Sequence, residues 1–193
     1  MRDPDFIARL QQKSETAFSQ LVADWKDRIY NTALGIVQNE TDADDITQEV
    51  FLAAWRMVDR FQGNAAPGTW LYRITVNKSV DLLRKIKRRK DFGWLYSVWD
   101  GQGRIENDLP DFIHPGVQLE KKQDAAILFS AIRNLPEQQR IAFSLQKVEG
   151  LSVQEIADIL QKKTGAVESL LERAKNNLKI SLANYYQNNR HES

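Results

Sequence analysis

The chain has 193 residues, enough for one medium domain or two small ones. Lysine and arginine number 27 against 26 aspartates and glutamates, a net charge of +1. This excludes a globally basic nucleic-acid coat protein but leaves room for local basic patches. There is no cysteine, which excludes disulfides, thiolate zinc sites and a cysteine nucleophile; two histidines, His114 and His191, leave little for a histidine-based metal or triad site. No apolar run approaches the ~20 residues that span a bilayer. The opening Met-Arg-Asp-Pro-Asp lacks the apolar core of a signal peptide, so a cytoplasmic chain is expected.

In Glu15 to Val37, apolar Phe18, Leu21, Val22, Trp25, Ile29 and Ala33 recur at steps of three and four, which predicts one helix with one inner face. A second helix is predicted from about Thr41 to Val58. Thr41-Asp42-Ala43-Asp44 reads as its capping box, and Ile46, Val50 and Ala53 or Ala54 as its inner face. Asp59 to Gly68 holds Gly63, Asn64, Pro67 and Gly68 and reads as a loop. A third helix is predicted from near Thr69 to about Arg89, with an inner stripe of Tyr72, Val76, Val80 and Leu83.

Asp91 to Leu119 changes character. Gly93, Gly101, Gly103, Pro110, Pro115 and Gly116 sit among Trp94, Tyr96 and Trp99 without periodicity, which suits a linker better than the inside of a compact domain. A helix from about Glu120 to Asn134 follows. Pro136 then stands at the first turn of the next, with Ile141, Ala142 and Leu145 inward and Gly150 closing it. Ser152-Val153-Gln154-Glu155 is a second capping box, and Ile156, Ala157 and Leu160 are the buried side of a short helix. The turn Gln161 to Lys163 leads to Thr164, a cap for a last helix running to about Ala183, with Val167, Leu170 or Leu171, Ala174 and Leu178 inside. The expected architecture is all-α: two small helical domains, 1–90 and 120–193, joined by a flexible linker at 91–119, the C-terminal one a helix-turn-helix.

Three charged constellations stand out. In 152–183 the short helix, tight turn and long helix match a helix-turn-helix, whose second helix enters the major groove with its N-terminal residues near base edges. Its outer face offers Lys163, Thr164, Ser169, Arg173 and Asn176. The alternative is a helical hairpin whose charges merely face water. In 73–90, Arg73, Lys78, Arg84, Lys85, Lys87, Arg88, Arg89 and Lys90 oppose only Asp81. At 100° per residue, Trp70, Arg73, Asn77, Arg84 and Arg88 share one narrow sector. Cations there hold phosphates, and an aromatic at the head can stack on a base; a solvated helix end is the bland alternative. In 39–50, Glu40, Asp42, Asp44, Asp45 and Glu49 have no basic neighbour. Part of this is helix capping. A metal-dependent nuclease could use such acids, but they crowd into about one turn with no partner acids elsewhere. An acidic rim beside Leu52 and Trp55 suits protein docking better.

The order of these features resembles a bacterial sigma factor of the extracytoplasmic-function group, over about residues 14–90 and 120–182. Asp44-Asp45-Ile46-Thr47-Gln48-Glu49-Val50-Phe51-Leu52-Ala53-Ala54-Trp55 is similar to the segment that binds the clamp of the polymerase largest subunits. Phe61 and Thr69-Trp70-Leu71-Tyr72-Arg73-Ile74, with Asn77, Asp81 and Arg84, resemble the promoter-melting and minus-ten segments. Leu135-Pro136, Gly150-Leu151-Ser152, Glu155-Ile156-Ala157 and Arg173-Ala174 resemble the domain that reads the minus-thirty-five element.

The resemblance implies a non-enzymatic factor, without cofactor or small-molecule substrate, that binds core RNA polymerase and promoter DNA. Asp45, Gln48, Glu49, Leu52 and Trp55 would dock on polymerase. Phe61 and Asn64 would line a pocket for a base turned out of the stack, with Trp70 capping the gap. Arg73, Asn77, Arg84, Lys85 and Arg88 would hold the opened strand. Lys163, Thr164, Glu168, Ser169 and Arg173 would read the upstream duplex. Glu168 and Leu170 depart from the group, which often has basic residues there; a carboxylate can accept from a cytosine amino group. The linker, with Asp100, Glu106, Asp108, Asp111 and Glu120 against Arg104, would mimic nucleic acid in polymerase channels. An anti-sigma protein, often membrane-bound, is the implied regulator, and the linker lets the domains close into an inhibited arrangement. Two rivals are a stand-alone helix-turn-helix regulator with an N-terminal sensor and a helical adaptor.

Overall fold

A computed structural model describes residues 4–61, 65–100 and 127–189, which are helical with no strand among them. Helix α1 (Pro4–Gln11) has no counterpart in the periodicity, because eight residues are too few to display a repeat. A helix that short is held by packing rather than propensity, here through Leu10, which is fully buried.

Helix α2 (Glu15–Val37) has the predicted bounds. Ser14 caps it, accepting from the Ala17 amide at 3.4 Å. It ends at Gln38, whose left-handed backbone (φ 59°) turns its N–H back to the Leu34 carbonyl. Helix α3 (Glu40–Met57) starts earlier than the Thr41 box suggested. Its cap is Asn39, whose Oδ1 accepts from the Asp42 amide at 2.8 Å. Asparagine is the better N-cap, so it sets the boundary.

After a 3₁₀ turn (Val58–Arg60), helix α4 (Pro67–Asp100) begins with proline in its first turn and continues past Arg89. The head of the expected linker is thus helical. No proline interrupts 68–100, and a single Gly93 costs only ~1 kcal/mol, too little to end the helix. The rest of that linker, and the start of the expected helix over 120–134, lie outside the described residues.

In the second half, α5 (127–133) and α6 (Glu137–Lys147) flank Pro136, the cap of α6. Gly150 adopts φ +68°, the left-handed turn that lets the Leu151 amide reach the Leu145 carbonyl at 3.2 Å. The second capping box is formed as read: in α7 (Val153–Leu160), Ser152 Oγ accepts from the Glu155 amide and Glu155 accepts from the Ser152 amide at 2.9 Å. Helix α8 (Thr164–Asn189) runs past the expected Ala183.

Helices α2, α3 and α4 pack on one another, as do α6, α7 and α8. One apolar core nevertheless runs through both groups, joining Leu21, Ile29, Val50, Leu71 and Tyr72 to Leu145, Ile156, Ile159 and Val167. A smaller core of Ala131, Ile132, Leu135, Ala174 and Leu178 closes the far end. The predicted stripe Tyr72, Val76, Val80 and Leu83 is buried or half-buried, but Leu71, Ile74 and Thr75 are buried too. The reason is that α4 is flanked by α2 and α3 and also by α7. Buried Thr32, Thr47 and Thr75 donate to carbonyls four residues back in their own helices, so their hydroxyls add no unpaired polar group to the core.

Two close approaches shape this packing. At Gly68 a Cβ would overlap the Trp25 ring, meeting its Cζ3 at 2.7 Å. At Gly35 a Cβ would stand 2.9 Å from Ser144 Oγ and 3.0 Å from Ser144 Cβ, across the seam between the halves. Gly68→Ala should therefore destabilise the fold by about 1–3 kcal/mol, since a packed indole cannot swing aside freely. Urea denaturation measures this; an unchanged midpoint would mean that the Trp25 ring gives way at no cost.

Candidate protein-docking and nucleic-acid interfaces

Helix α3 turns its apolar residues inward at Ala43, Ile46, Val50 and Ala54, and the 3.6-residue repeat leaves Asp45, Gln48, Glu49 and Leu52 outside. Leu52 is 57% exposed, a large apolar group amid carboxylates. Trp55 is half-buried, its ring edge-on to Phe18 at 4.8 Å, so it is held by packing and pre-positioned. Glu49 accepts from Lys78 Nζ of α4 at 2.8 Å. That hydrogen bond holds its carboxyl below the usual carboxylate range, with Lys85 adding to the effect. Burial, and then Asp45, push the Asp42 carboxyl up. Burial together with Glu40 and Asp44 raises the Tyr30 phenol. Glu40, Asp44, Asp45 and Glu49 are exposed and Asp42 half-buried, so this end of α3 presents mainly carboxylates to solvent. Among the described residues, no cluster of histidine, aspartate or glutamate could hold a metal ion.

The Lys78–Glu49 pair is the border between this surface and the cationic side of α4. Asn77, Arg84, Lys85 and Arg88 are exposed along it. Arg84 lies 3.8 Å from Asp81, and Arg88 Nε donates to the Arg84 carbonyl at 3.4 Å. At the head of the stripe, Trp70 stacks on Phe61 with centroids 4.7 Å apart and planes 26° from parallel. Phe61 is itself buried and serves as the floor beneath the indole. Its carbonyl accepts from Gln11 Nε2 at 2.6 Å. Lys13 of the same segment pairs with Asp59 at 3.6 Å. The N-terminal segment thus braces the loop, a role with no local sequence signal. Asn64 lies outside the described residues.

Arg73 sits on the expected stripe, but both Nε and Nη2 donate to the Asp158 carbonyl at the end of α7, at 3.1 and 2.7 Å. Beside it, Tyr72 donates its hydroxyl to Glu149 at 2.7 Å, and Arg28 Nε donates to the same carboxylate oxygen at 3.1 Å. The Arg28 guanidinium lies over the rings of Trp25 (4.9 Å) and Tyr72 (5.8 Å). Burial and then the Glu149 hydrogen bond drive the Tyr72 phenol far up, so it remains a donor. Sequence reading singled out neither Arg28 nor Glu149. They are 121 residues apart and no periodicity links them.

Lys163, just before α8, and Thr164, Glu168, Ser169 and Arg173 on it are all exposed, while Val167, Leu171 and Ala174 are buried. Ser169 donates to the Gly165 carbonyl at 2.9 Å. Leu170 is half-buried against the core, which explains an apolar residue there: its place is inward.

Residues 21–89 match the sigma-70 region 2 family and residues 125–178 the sigma-70 region 4 family. The ECF RNA polymerase sigma-E factor of Haemophilus influenzae is 31% identical over 91% of this chain and 92% of its own length. The RNA polymerase sigma-H factor of Pseudomonas aeruginosa is 30% identical over 90% of each chain. Among solved structures, CnrH in complex with the cytosolic domain of CnrY superposes with a TM-score of 0.69 at 26% identity, over 95% of this chain and 98% of that one. RpoE from Bartonella quintana, solved with the anti-sigma factor NepR, shares the fold with a TM-score of 0.68 at 24% identity, over 86% and 96%.

Proposed function

The chain belongs to the ECF sigma factors of RNA polymerase, and from that premise we propose how its residues divide the work. As a sigma factor it binds core polymerase, directs it to promoters and helps melt the DNA to start transcription. The family acts as a non-catalytic initiation factor; we extend that to this chain, and place it in the cytoplasm. None of the described helices is long and apolar enough to cross a membrane.

The observation that carries the assignment is the adjacency of two opposed surfaces on α3 and α4, bordered by Glu49–Lys78. Asp45, Gln48, Glu49, Leu52 and Trp55 dock on polymerase, with Leu52 and Trp55 as the apolar anchors inside a polar rim. The promoter strand then runs along Trp70, Asn77, Arg84, Lys85 and Arg88, with Arg73 at its head. Cations hold its phosphates, and the indole, floored by Phe61, meets a base. Extruding a base costs a few kcal/mol, and aromatic stacking returns about 1–3 kcal/mol per base. Phe61 through Asn64 forms the base pocket of this proposal. Lys163 and the outward residues of α8, Thr164, Glu168, Ser169 and Arg173, read the upstream element. Two modest contacts on one chain give avidity that neither has alone. The domain limits 1–90, 91–119 and 120–193 belong to the same proposal, with the linker lodged in polymerase channels.

An anti-sigma factor, tethered at the inner membrane, completes the reading; the likeness to CnrH, solved with a partner's cytosolic domain, supports it. Run-off transcription with purified core polymerase, with and without this chain, tests the whole. Asp45→Ala with Gln48→Ala should lower affinity for core enzyme at least tenfold while leaving the melting temperature in place, because both side chains are exposed; equal capture in a pull-down would remove α3 from the interface. Trp70→Ala should reduce permanganate reactivity of the open complex more than it reduces closed-complex gel shift. An equal loss in both would assign Trp70 to binding alone.

A further inference from the structure

Helix α1 lies ahead of residue 21, where the match to the region 2 family begins, yet it reaches both sides of the loop between the 3₁₀ turn and α4. At the entrance, the Phe61 carbonyl accepts from Gln11 Nε2 at 2.6 Å, across 50 residues of chain. The Phe61 amide is engaged as well, donating to the Val58 carbonyl at 3.2 Å. A peptide unit is planar, so fixing its oxygen fixes the direction in which the chain leaves Phe61. The phenyl is buried and lies stacked on Trp70. At the exit, Phe6 shares the lining of a cavity of about 480 Å³ with Ala66, Pro67, Gly68 and Thr69, the residues that lead into the helix carrying Trp70. The turn that brings α1 there is itself strained. Lys13 takes a left-handed backbone (φ 56°), which favours glycine, and the Lys13 and Ser14 amides bond back to the Leu10 and Arg9 carbonyls. The side chain that glycine would lack pairs with Asp59 at 3.6 Å. That pair is 45% and 47% exposed, so it contributes little to stability. Its effect is on alignment: with Gln11 it gives α1 two polar points of contact on the 3₁₀ turn and its cap.

We propose that α1 is a positioning element for DNA opening, in which Gln11 sets the pose of Phe61, and through it the Trp70 ring that receives the base, while itself touching neither polymerase nor DNA. The inference rests on the base-receiving role given to Trp70 above. It adds that capture of the base is tuned from outside the matched region, by a residue whose whole effect passes through a neighbour's backbone. An indole on a fixed floor loses little freedom when a base arrives; on a loose floor it loses more. Releasing Gln11 therefore weakens strand capture. It leaves the steps that use α3 and α8, because their exposed residues stand on other elements.

The test uses the full chain. Gln11→Met keeps the side-chain length and a similar helix propensity and removes only the donor. With the five tryptophans supplied as 5-fluorotryptophan, the Trp70 and Trp55 fluorine signals are identified by their loss in Trp70→Phe and Trp55→Phe. Gln11→Met should shift and broaden the Trp70 signal and leave that of Trp55 in place; a general loosening of the fold would move both. Capture by core polymerase and closed-complex gel shift should change less than twofold. Permanganate reactivity at a promoter active in run-off transcription should fall about fivefold, the size of one lost hydrogen bond. In the Trp70→Ala background the same replacement should change reactivity less than twofold, because the ring it positions is gone. Lys13→Ala, at an exposed pair, is a milder release that leaves the core of α1 intact, and it should lower reactivity about twofold. An unmoved Trp70 signal would overturn the inference. So would an equal effect of Gln11→Met on reactivity with and without Trp70. Normal run-off with undiminished opening by Gln11→Met removes the positioning role and leaves the sigma-factor assignment intact. Absent run-off with the unaltered chain overturns that assignment, and the role in opening with it.

Discussion

A carboxylate removed from water must be answered by its surroundings, and the way Glu149 is answered organises this molecule. Its partners, Arg28 on α2 and Tyr72 on α4, belong to the half that also carries the acidic and cationic surfaces. The two sigma regions therefore meet in one register. Apolar contact between Leu145, Ile156 and Ile159 and the first half is non-directional, so on its own it would tolerate a slip of alignment more readily than a hydrogen bond does. Fixed-geometry donors on a buried acceptor allow no such slip. Gly35 sets the approach distance and the Glu149 network sets the alignment.

The working surfaces follow from what this core leaves outside. Helix α3 spends Ala43, Ile46, Val50 and Ala54 on the interior, and the same geometry turns Asp45, Gln48 and Leu52 to solvent. Helix α4 is covered on more than one side, so little but its polar sector stays open, and there the cations concentrate. The two surfaces are neighbours of opposite sign, and the Glu49–Lys78 pair marks where they meet. Such a surface pair, negative beside positive on two adjacent helices, suits one factor that grips a protein and a nucleic acid side by side.

The N-terminal segment has a supporting part. Gln11 ties the Phe61 carbonyl and Lys13 pairs with Asp59, which steadies the floor on which Trp70 stacks. In the proposed reading, in which Trp70 meets a base, such bracing favours binding, because less side-chain freedom is lost when the base arrives.

Much of this was legible in residue order. The bounds of α2, the Ser152–Glu155 box and the outward residues of α8 follow from periodicity and capping chemistry, which act within a few residues. Where the reading slipped, the cause was also local. Asn39 outranked Thr41 as a cap, and Gly93 did not stop α4. The amino-acid sequence by itself determined the helices other than α1 and the tail of α4, their charged faces and the family, since each is written in spacings of three, four or a short motif. Only the tertiary structure decided that Glu149 meets Arg28 across 121 residues, that Asp158 occupies Arg73 across 85, and that Leu170 turns inward. Such pairings depend on how packed helices bring distant residues together in space, and a single chain carries no periodic trace of that.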